Sequence, residues 1–349
     1  MWFLRTMVPV KEWAQEREMQ VLAGTSRGLF RINEGHQREP VLQEPGVRDL
    51  IRIGDRIHAG ASTGHFLSDD NGATWQRSNL PELEVWQIRQ GGDCLYAGVQ
   101  PAGLWRSTDR GESWVEVEGF ARLADEHGGW GIPIDPPIQG RLRALVIDRT
   151  DPRRIAAGVE VGGIALTEDG GESWRMVLPG DNPDLHMMFQ HPTRPATLFA
   201  STGYGRPDGI AEMVEGNAGV FRSDDGGATW GYAWKGITPR YSRPMCIDDR
   251  APHALTVASA PTAFSHYKDD GGAAAMLYRS TDGGESWRSL CDAAHSPSAA
   301  NFHGLNVDPE NAGGVLTGTD TGEVWRVSDG GDWTEIASGM PSVLAVMAV

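Results

Sequence analysis

One phrase recurs along the chain as LSDDNGATW, RSTDRGESW, LTEDGGESW, RSDDGGATW and RSTDGGESW, ending at Trp75, Trp114, Trp174, Trp230 and Trp287. The shared text is Ser/Thr, any, Asp, any, Gly, any, Thr/Ser, Trp; a sixth copy, over 327–333, is one residue short and lacks the first hydroxyl. Self-similarity of this kind implies one supersecondary unit copied many times, so repetition decides the architecture before any single residue does. The phrase itself reads as a tight turn between two strands. Asp accepts backbone N–H bonds inside the turn, Gly takes the positive-φ position, and Trp opens the next strand and packs between sheets. Each part of the phrase is structural.

Around each copy four short strands can be laid out. In the fourth unit LRALVID is an inner strand A, RIAAGVE strand B, GIALT strand C and SWRMVL strand D, with the repeated turn between C and D. The same frame fits five other stretches. A seventh unit is assembled from the two ends, because MQVLAGTSRGLFRINEG and EPVLQ supply B, C and D without an A, and PSVLAVMAV supplies an A without a B. Pairing them removes both open sheet edges. The expectation is an all-β chain: a single seven-bladed β-propeller of four-stranded antiparallel blades, closed by the strand at 342–349. The blades fall at about 19–45 plus 342–349, 46–80, 83–118, 141–179, 184–235, 242–290 and 302–338, with 1–18 as an N-terminal extension and no linker dividing the chain.

These turns resemble the Asp-box (BNR) repeats, and nearly the whole chain resembles the BNR-repeat β-propellers, a group that includes sialidases, sortilin-type ectodomains and photosystem assembly factors. The resemblance implies the fold and leaves the function open, because such propellers carry unrelated sites. Sialidases would bring three arginines, a Tyr–Glu pair, an Asp acid/base and an Arg-Ile-Pro motif. Here the nearest text to that motif is FRIN at Phe30–Asn33, without Pro, only two arginines share the inner-strand register, and nothing in the sequence fixes a Tyr–Glu pair such as Tyr204 with Glu212 or Glu215. Sialidase activity is not expected.

Composition narrows the partners. A formal charge of −16 argues against nucleic acid or an anionic membrane as the main partner. Cys94, Cys246 and Cys291 form no CxxC pair, so neither a disulfide framework nor a cysteine zinc site is expected. The start MWFLRTMVPVKEWAQEREMQ breaks its apolar run at Arg5, too early for a secretory signal, and no run approaches a membrane span, which makes a cytoplasmic location the expectation.

Parity along a four-stranded meander puts the D-to-A and B-to-C connections on one face of the ring, opposite the repeated turns. All the long additions, at 119–140, 202–219, 260–275 and 291–301, fall in those connections, so the working site is expected on that top face. Aligning the inner strands places Arg143, His186, Arg243 and His303 at one register near the mouth of the channel, with Trp86 and Asp49 at equivalent places. Arginines there suit a planar oxyanion such as a carboxylate.

Two readings of the histidines follow. His186 and His303, joined by His127 or by other lid histidines (His266, His295), would hold a single divalent metal such as zinc, iron or copper. Alternatively His186, His303, His266 or Tyr267 handles a proton, oriented by Asp135, Asp208, Asp269 or Asp270. Trp130, Tyr204 and Tyr267 are candidate stacking surfaces. The leading expectation is an enzyme, hydrolase or lyase, taking a small anionic substrate on Arg143, Arg243, Trp86, Trp130, Tyr204 and Asp49. The alternatives are a non-catalytic scaffold for a protein partner and a carbohydrate-binding or glycosidase-like protein.

Overall fold

In a computed structural model, which describes residues 19–132, 137–204 and 218–349, seven antiparallel four-stranded sheets stand around a central channel. The inner strands are Val343–Ala348, Asp49–Ile53, Glu84–Gly91, Arg141–Ile147, Leu185–His191, Tyr241–Ile247 and Phe302–Val307. The first blade is built from both ends of the chain. Val343–Ala348 pairs with Val21–Thr25, which continues outward to Gly28–Ile32 and Arg38–Leu42. The ring is thus a seven-bladed β-propeller. The N-terminal extension at 1–18 lies outside the described residues.

The repeated phrase folds as its chemistry dictates. In the third blade Ser107 Oγ donates to Asp109 Oδ1 at 2.8 Å, Gly111 N donates to Ser107 Oγ at 2.9 Å, and Ser113 N donates to Asp109 Oδ1 at 2.9 Å. Trp114 then closes the turn, its Nε1 donating to the Gly111 carbonyl at 3.0 Å. In the short sixth copy Ser328 takes over part of this work, accepting from Asp332 N at 3.0 Å, and the Trp333 Nε1 reaches the Leu290 carbonyl of the preceding blade instead. One phrase therefore sets both a turn and a blade-to-blade contact.

Core side chains pack between blades rather than in one central mass. Leu142, Leu145 and Ile147 of one inner strand meet Tyr96 and Leu104 of the preceding blade and Ile155 and Val159 of their own. The addition at 119–140 contributes to this layer. It holds a helix over Glu118–Glu126 whose Phe120 is fully buried and meets Trp174 edge-on with ring centroids 5.3 Å apart.

A buried histidine pair lies between the second and third blades. His58 Nδ1 is 3.1 Å from His65 Nε2, and His65 Nδ1 is 3.0 Å from Ser78 Oγ, with Gly111 of the neighbouring turn packed against His58. Burial, then the Arg56 and Arg110 charges, pushes His58 down to about 4, and burial followed by His58 pushes His65 well below its ordinary value. Between pH 6.5 and about 4 the unfolded chain takes up a proton on His58 that the folded chain refuses. Stability is therefore complete above 6.5 and falls as pH drops through this window, by roughly 3 kcal/mol for His58 alone. Denaturant midpoints measured across that range should fall steeply for the native protein and less steeply for a His58→Gln/His65→Gln variant; equal slopes would refute the assignment.

Candidate functional site

The inner strands do not run regularly at their upper ends. In six of the seven the pairing to strand B slips, and the skipped residues are Trp86, Arg143, His186, Arg243 with Pro244, His303 and Leu344. Only the strand carrying Asp49 keeps its register there. A bulge leaves its extra residue out of the ladder and re-aims the side chain. Here every bulge residue lines one cavity at the top mouth of the channel, of about 570 Å³. Asp49 and Tyr204 line it too, so seven of the expected site residues are brought together.

Residues outside that register complete the wall. Glu160 ends a B strand, Asp184 immediately precedes the inner strand Leu185–His191, and Arg141, Tyr241 and Arg48 lie on or beside the inner strands. Arg143 Nη1 is 3.0 Å from Glu160 Oε1, and Arg141 Nε is 2.8 Å from Oε2, an ion-pair contact without a well-directed hydrogen bond. Burial opposes the ionised Glu160 carboxylate, but the Arg143 and Arg141 charges outweigh it and hold Glu160 down to about 2. It is a permanent anion at neutral pH. Asp184 is fixed by its own backbone, with its N–H on Asn182 Oδ1 at 2.9 Å and its carbonyl accepting from Gly203 N at 3.0 Å. A Cβ at Gly203 would stand 2.1 Å from Asp184 Oδ2, so that glycine makes room for the carboxylate.

His186 sits behind this pair. Its side chain has no exposed surface, Nδ1 is 2.6 Å from the Ser242 carbonyl, and Nε2 is 3.2 Å from Tyr241 Oη, 3.3 Å from Asp184 Oδ1 and 3.8 Å from Glu160 Oε1. The Ser242 carbonyl accepts the Nδ1 proton, and Nε2 is turned toward the Tyr241 hydroxyl and the two carboxylates. Burial, with Asp184 next, pushes Tyr241 up to about 12, so it stays a neutral O–H donor. Glu160, Asp184 and the arginines line the cavity, with the His186 side chain behind them. His303 is likewise kept neutral, pushed down to about 3 by burial and then by Arg243 and Arg143.

The arginine wall is the strongest electrostatic feature. Arg48, Arg141, Arg143 and Arg243 face three carboxylates, Asp49, Glu160 and Asp184, in a chain of net charge −16. Asp49 is turned away from this exchange, accepting from Ile88 N at 2.7 Å and paired with Arg89 at 3.1 Å. Arg243 donates through Nη2 to the Ala263 carbonyl at 2.9 Å and lies over the Tyr241 ring, while its buried Nε has no hydrogen-bond partner among the described residues. Trp86 does not offer a bare stacking face, because the Arg48, Arg141 and Arg143 guanidiniums lie 4.5, 4.8 and 5.1 Å from its ring centroid. Its ring spreads the arginines.

Several expected residues are elsewhere. His127 stacks on Trp130 at 5.5 Å, and Trp130 packs on Phe120 beneath the helix, so neither lines the cavity. His266 and Tyr267 do not line it either: their segment is tied to buried Asp320, which accepts from Tyr267 N at 3.0 Å and faces His266 Nε2 at 3.8 Å. Asp269 caps its own turn by accepting from His266 N, and His295 stacks on Trp333 at 4.0 Å. Asp135, Asp208, Glu212 and Glu215 lie outside the described residues.

The metal set His186, His303 and His127 is not assembled. Among the described residues one group of potential ligands comes together, Glu160, Asp184 and His186, with ligand atoms within 4.8 Å of one another. The two guanidiniums that already neutralise Glu160, with Arg243 beside them, make this group a poor host for a dication.

No protein-family profile matches the chain. Curated relatives do. The chain is 25% identical over 320 residues to the oligoxyloglucan-reducing end-specific xyloglucanase of Emericella nidulans, covering 77% of this chain and 36% of that protein. It is 27% identical over 277 residues to a xyloglucanase of Hypocrea jecorina, covering 69% and 30%. The chain thus spans about a third of the length of these relatives. Among solved structures, the GH74 xyloglucanase from Xanthomonas campestris superposes with a TM-score of 0.66 at 20% identity, over 93% of this chain and 53% of that one. YCF48 from Cyanidioschyzon merolae superposes at 0.54 and 15% identity, over 91% and 94%. At these identities the structural matches speak for the fold.

Proposed function

We propose that this chain is a carbohydrate-active propeller of the glycoside hydrolase type, cleaving a glycosidic bond of a saccharide seated in the mouth cavity. The observation that carries this reading is the Glu160–Asp184 pair on the wall of that cavity, in a chain aligned over about three quarters of its length with a protein named a xyloglucanase. The cavity volume lies within the range that encloses small ligands. Carboxylate oxygens within 4.8 Å are nearer the separation of retaining glycosidases, about 5–5.5 Å, than the wider gap of inverting ones. Glu160, ionised at neutral pH, takes the nucleophile's place, and Asp184, beside His186 Nε2, handles the proton of the leaving oxygen.

The saccharide that fits carries a carboxylate. Arg141 and Arg143 are engaged by Glu160, whereas Arg243 lines the cavity without an ion pair among the described residues, and a sugar acid would bring it a carboxylate in the planar form a guanidinium matches. This modifies the expectation of a small free anion: the negative group belongs to a sugar.

Reducing-end release from oligogalacturonides and from xyloglucan oligosaccharides tests both steps. Oligogalacturonide cleavage should fall about 10²–10⁴-fold in Asp184→Asn. Arg243→Met should weaken binding of the acidic set, read by calorimetry, and leave the neutral set unchanged. Cleavage of the neutral set alone would overturn the acidic preference, and cleavage of neither would overturn the proposal.

A further inference from the structure

Five large apolar side chains stand out as exposed among the described residues, Val115, Leu178, Tyr232, Phe264 and Tyr267; of these Phe264 is the most exposed, at 85%, and it alone lines the mouth cavity. An aromatic ring left bare on a loose loop would mean little. This one is held out on a braced segment. On one side Ala263 packs against Tyr204 and Tyr241 and accepts from Arg243. Phe264 N donates to Thr262 Oγ1 at 3.2 Å, and Thr262 N donates to Ser265 Oγ at 3.0 Å, closing a small turn beneath the ring. On the other side the Ser265 carbonyl accepts from Asn301 Nδ2 at 2.7 Å, and Tyr267 N is tied to Asp320.

These contacts, which reach into three blades, hold the backbone that carries a ring left exposed in the free protein. The position is continuous with the arginine wall, because the residue before Phe264 is the one Arg243 holds. Inside the cavity the Trp86 ring is already covered by three guanidiniums and the Tyr241 ring by Arg243. Phe264 is the bare aromatic face that a ligand emerging from the cavity would meet. Sugar rings present apolar C–H faces that seat on such a surface, and the gain from covering an exposed aromatic follows its area.

We infer that Phe264 is an external sugar-binding platform, a second subsite on the top face that receives the next residue of a saccharide whose acidic unit lies in the cavity. The inference rests on the proposed function, since the occupant is the continuation of the same chain. It makes the protein length-selective. Short ligands are held by the arginines alone, and longer ones also by Phe264.

Calorimetric titration of the intact protein with oligogalacturonides of increasing length tests this, with xyloglucan oligosaccharides as the neutral series. Phe264→Ala should leave the monosaccharide affinity unchanged and weaken the longer oligogalacturonides roughly 3- to 10-fold, and Phe264→Trp should restore them. If the longer oligomers bind the native protein and Phe264→Ala equally well, the platform is refuted while the cavity reading stands. If neither series binds the native protein, the saccharide reading itself falls, and the platform with it.

Discussion

Glu160→Gln is expected to abolish turnover and to cost the fold about 3 kcal/mol. The amide keeps the shape of the side chain, but it leaves Arg141 and Arg143 facing one another without the anion that now sits 2.8 and 3.0 Å from them. Breaking a buried pair from one side costs more than the pair contributes, because the remaining charges are stranded in a poor solvent. The pH dependence gives an independent check. Glu160 is held at about 2 in the folded state against 4.5 ordinarily, so its contribution is fully present above pH 4.5 and is lost as pH falls towards 2. Roughly 3 kcal/mol of acid sensitivity in that window belongs to this carboxylate. Unfolding by denaturant at pH 6 and at pH 3 should show Glu160→Gln less stable than the native protein at the higher pH, with the two converging at the lower one. A double change with Arg143→Gln should recover part of the loss, as expected for residues in contact. A variant of native stability at pH 6 would show that the arginines find other partners and that Glu160 is no keystone.

The inner-strand register was legible, because period-two alternation in seven similar strands marks which positions face the channel, and it led to Arg143, His186, Arg243, His303 and Trp86. What alternation does not announce is the bulge at each of those positions, which depends on pairing with strand B. Glu160 lies at the end of a B strand, in GVE, where other blades read GVQ and GTD. Aligning those strand ends would have singled out both Glu160 and Asp320. The first turns into the cavity and the second caps the segment that carries Phe264 and Tyr267. Arg141 and Tyr241 stand two residues before Arg143 and Arg243, on the same face of a strand, and were within reach of the same argument. The lids were not. His127, Trp130, His266 and Tyr267 sit in long connections whose direction no periodicity encodes, and each spends its contacts on the scaffold instead of the mouth.

Removing the closing strand should be more damaging than any change in the cavity. Val343–Ala348 is the inner strand of the first blade, and it pairs along Val21–Thr25 over five residue pairs. Its Val343 and Val346 are buried against Leu316, Val324 and Val21, and Met347 packs with Leu22, Leu50 and Ile57 on the other side. At about 1.5–3 kcal/mol for each fully buried side chain, the strand contributes an amount comparable with the whole stability of an ordinary domain. Its loss would also bare the edge of Val21–Thr25, a buried apolar run of the kind that pairs with other chains. A chain ending at 341 is therefore expected to be recovered as aggregate, and Val343→Asp, which places one charge in the same seam, to be strongly destabilised while remaining full length. Because Leu344 is the bulge residue that this strand contributes to the cavity, opening the ring also dismantles the mouth. Supplying a peptide spanning 338–349 to the truncated chain during refolding should restore soluble protein and its saccharide binding together. Soluble, ligand-competent protein without the peptide would mean that six blades close on their own and that the two ends are an ornament of the ring.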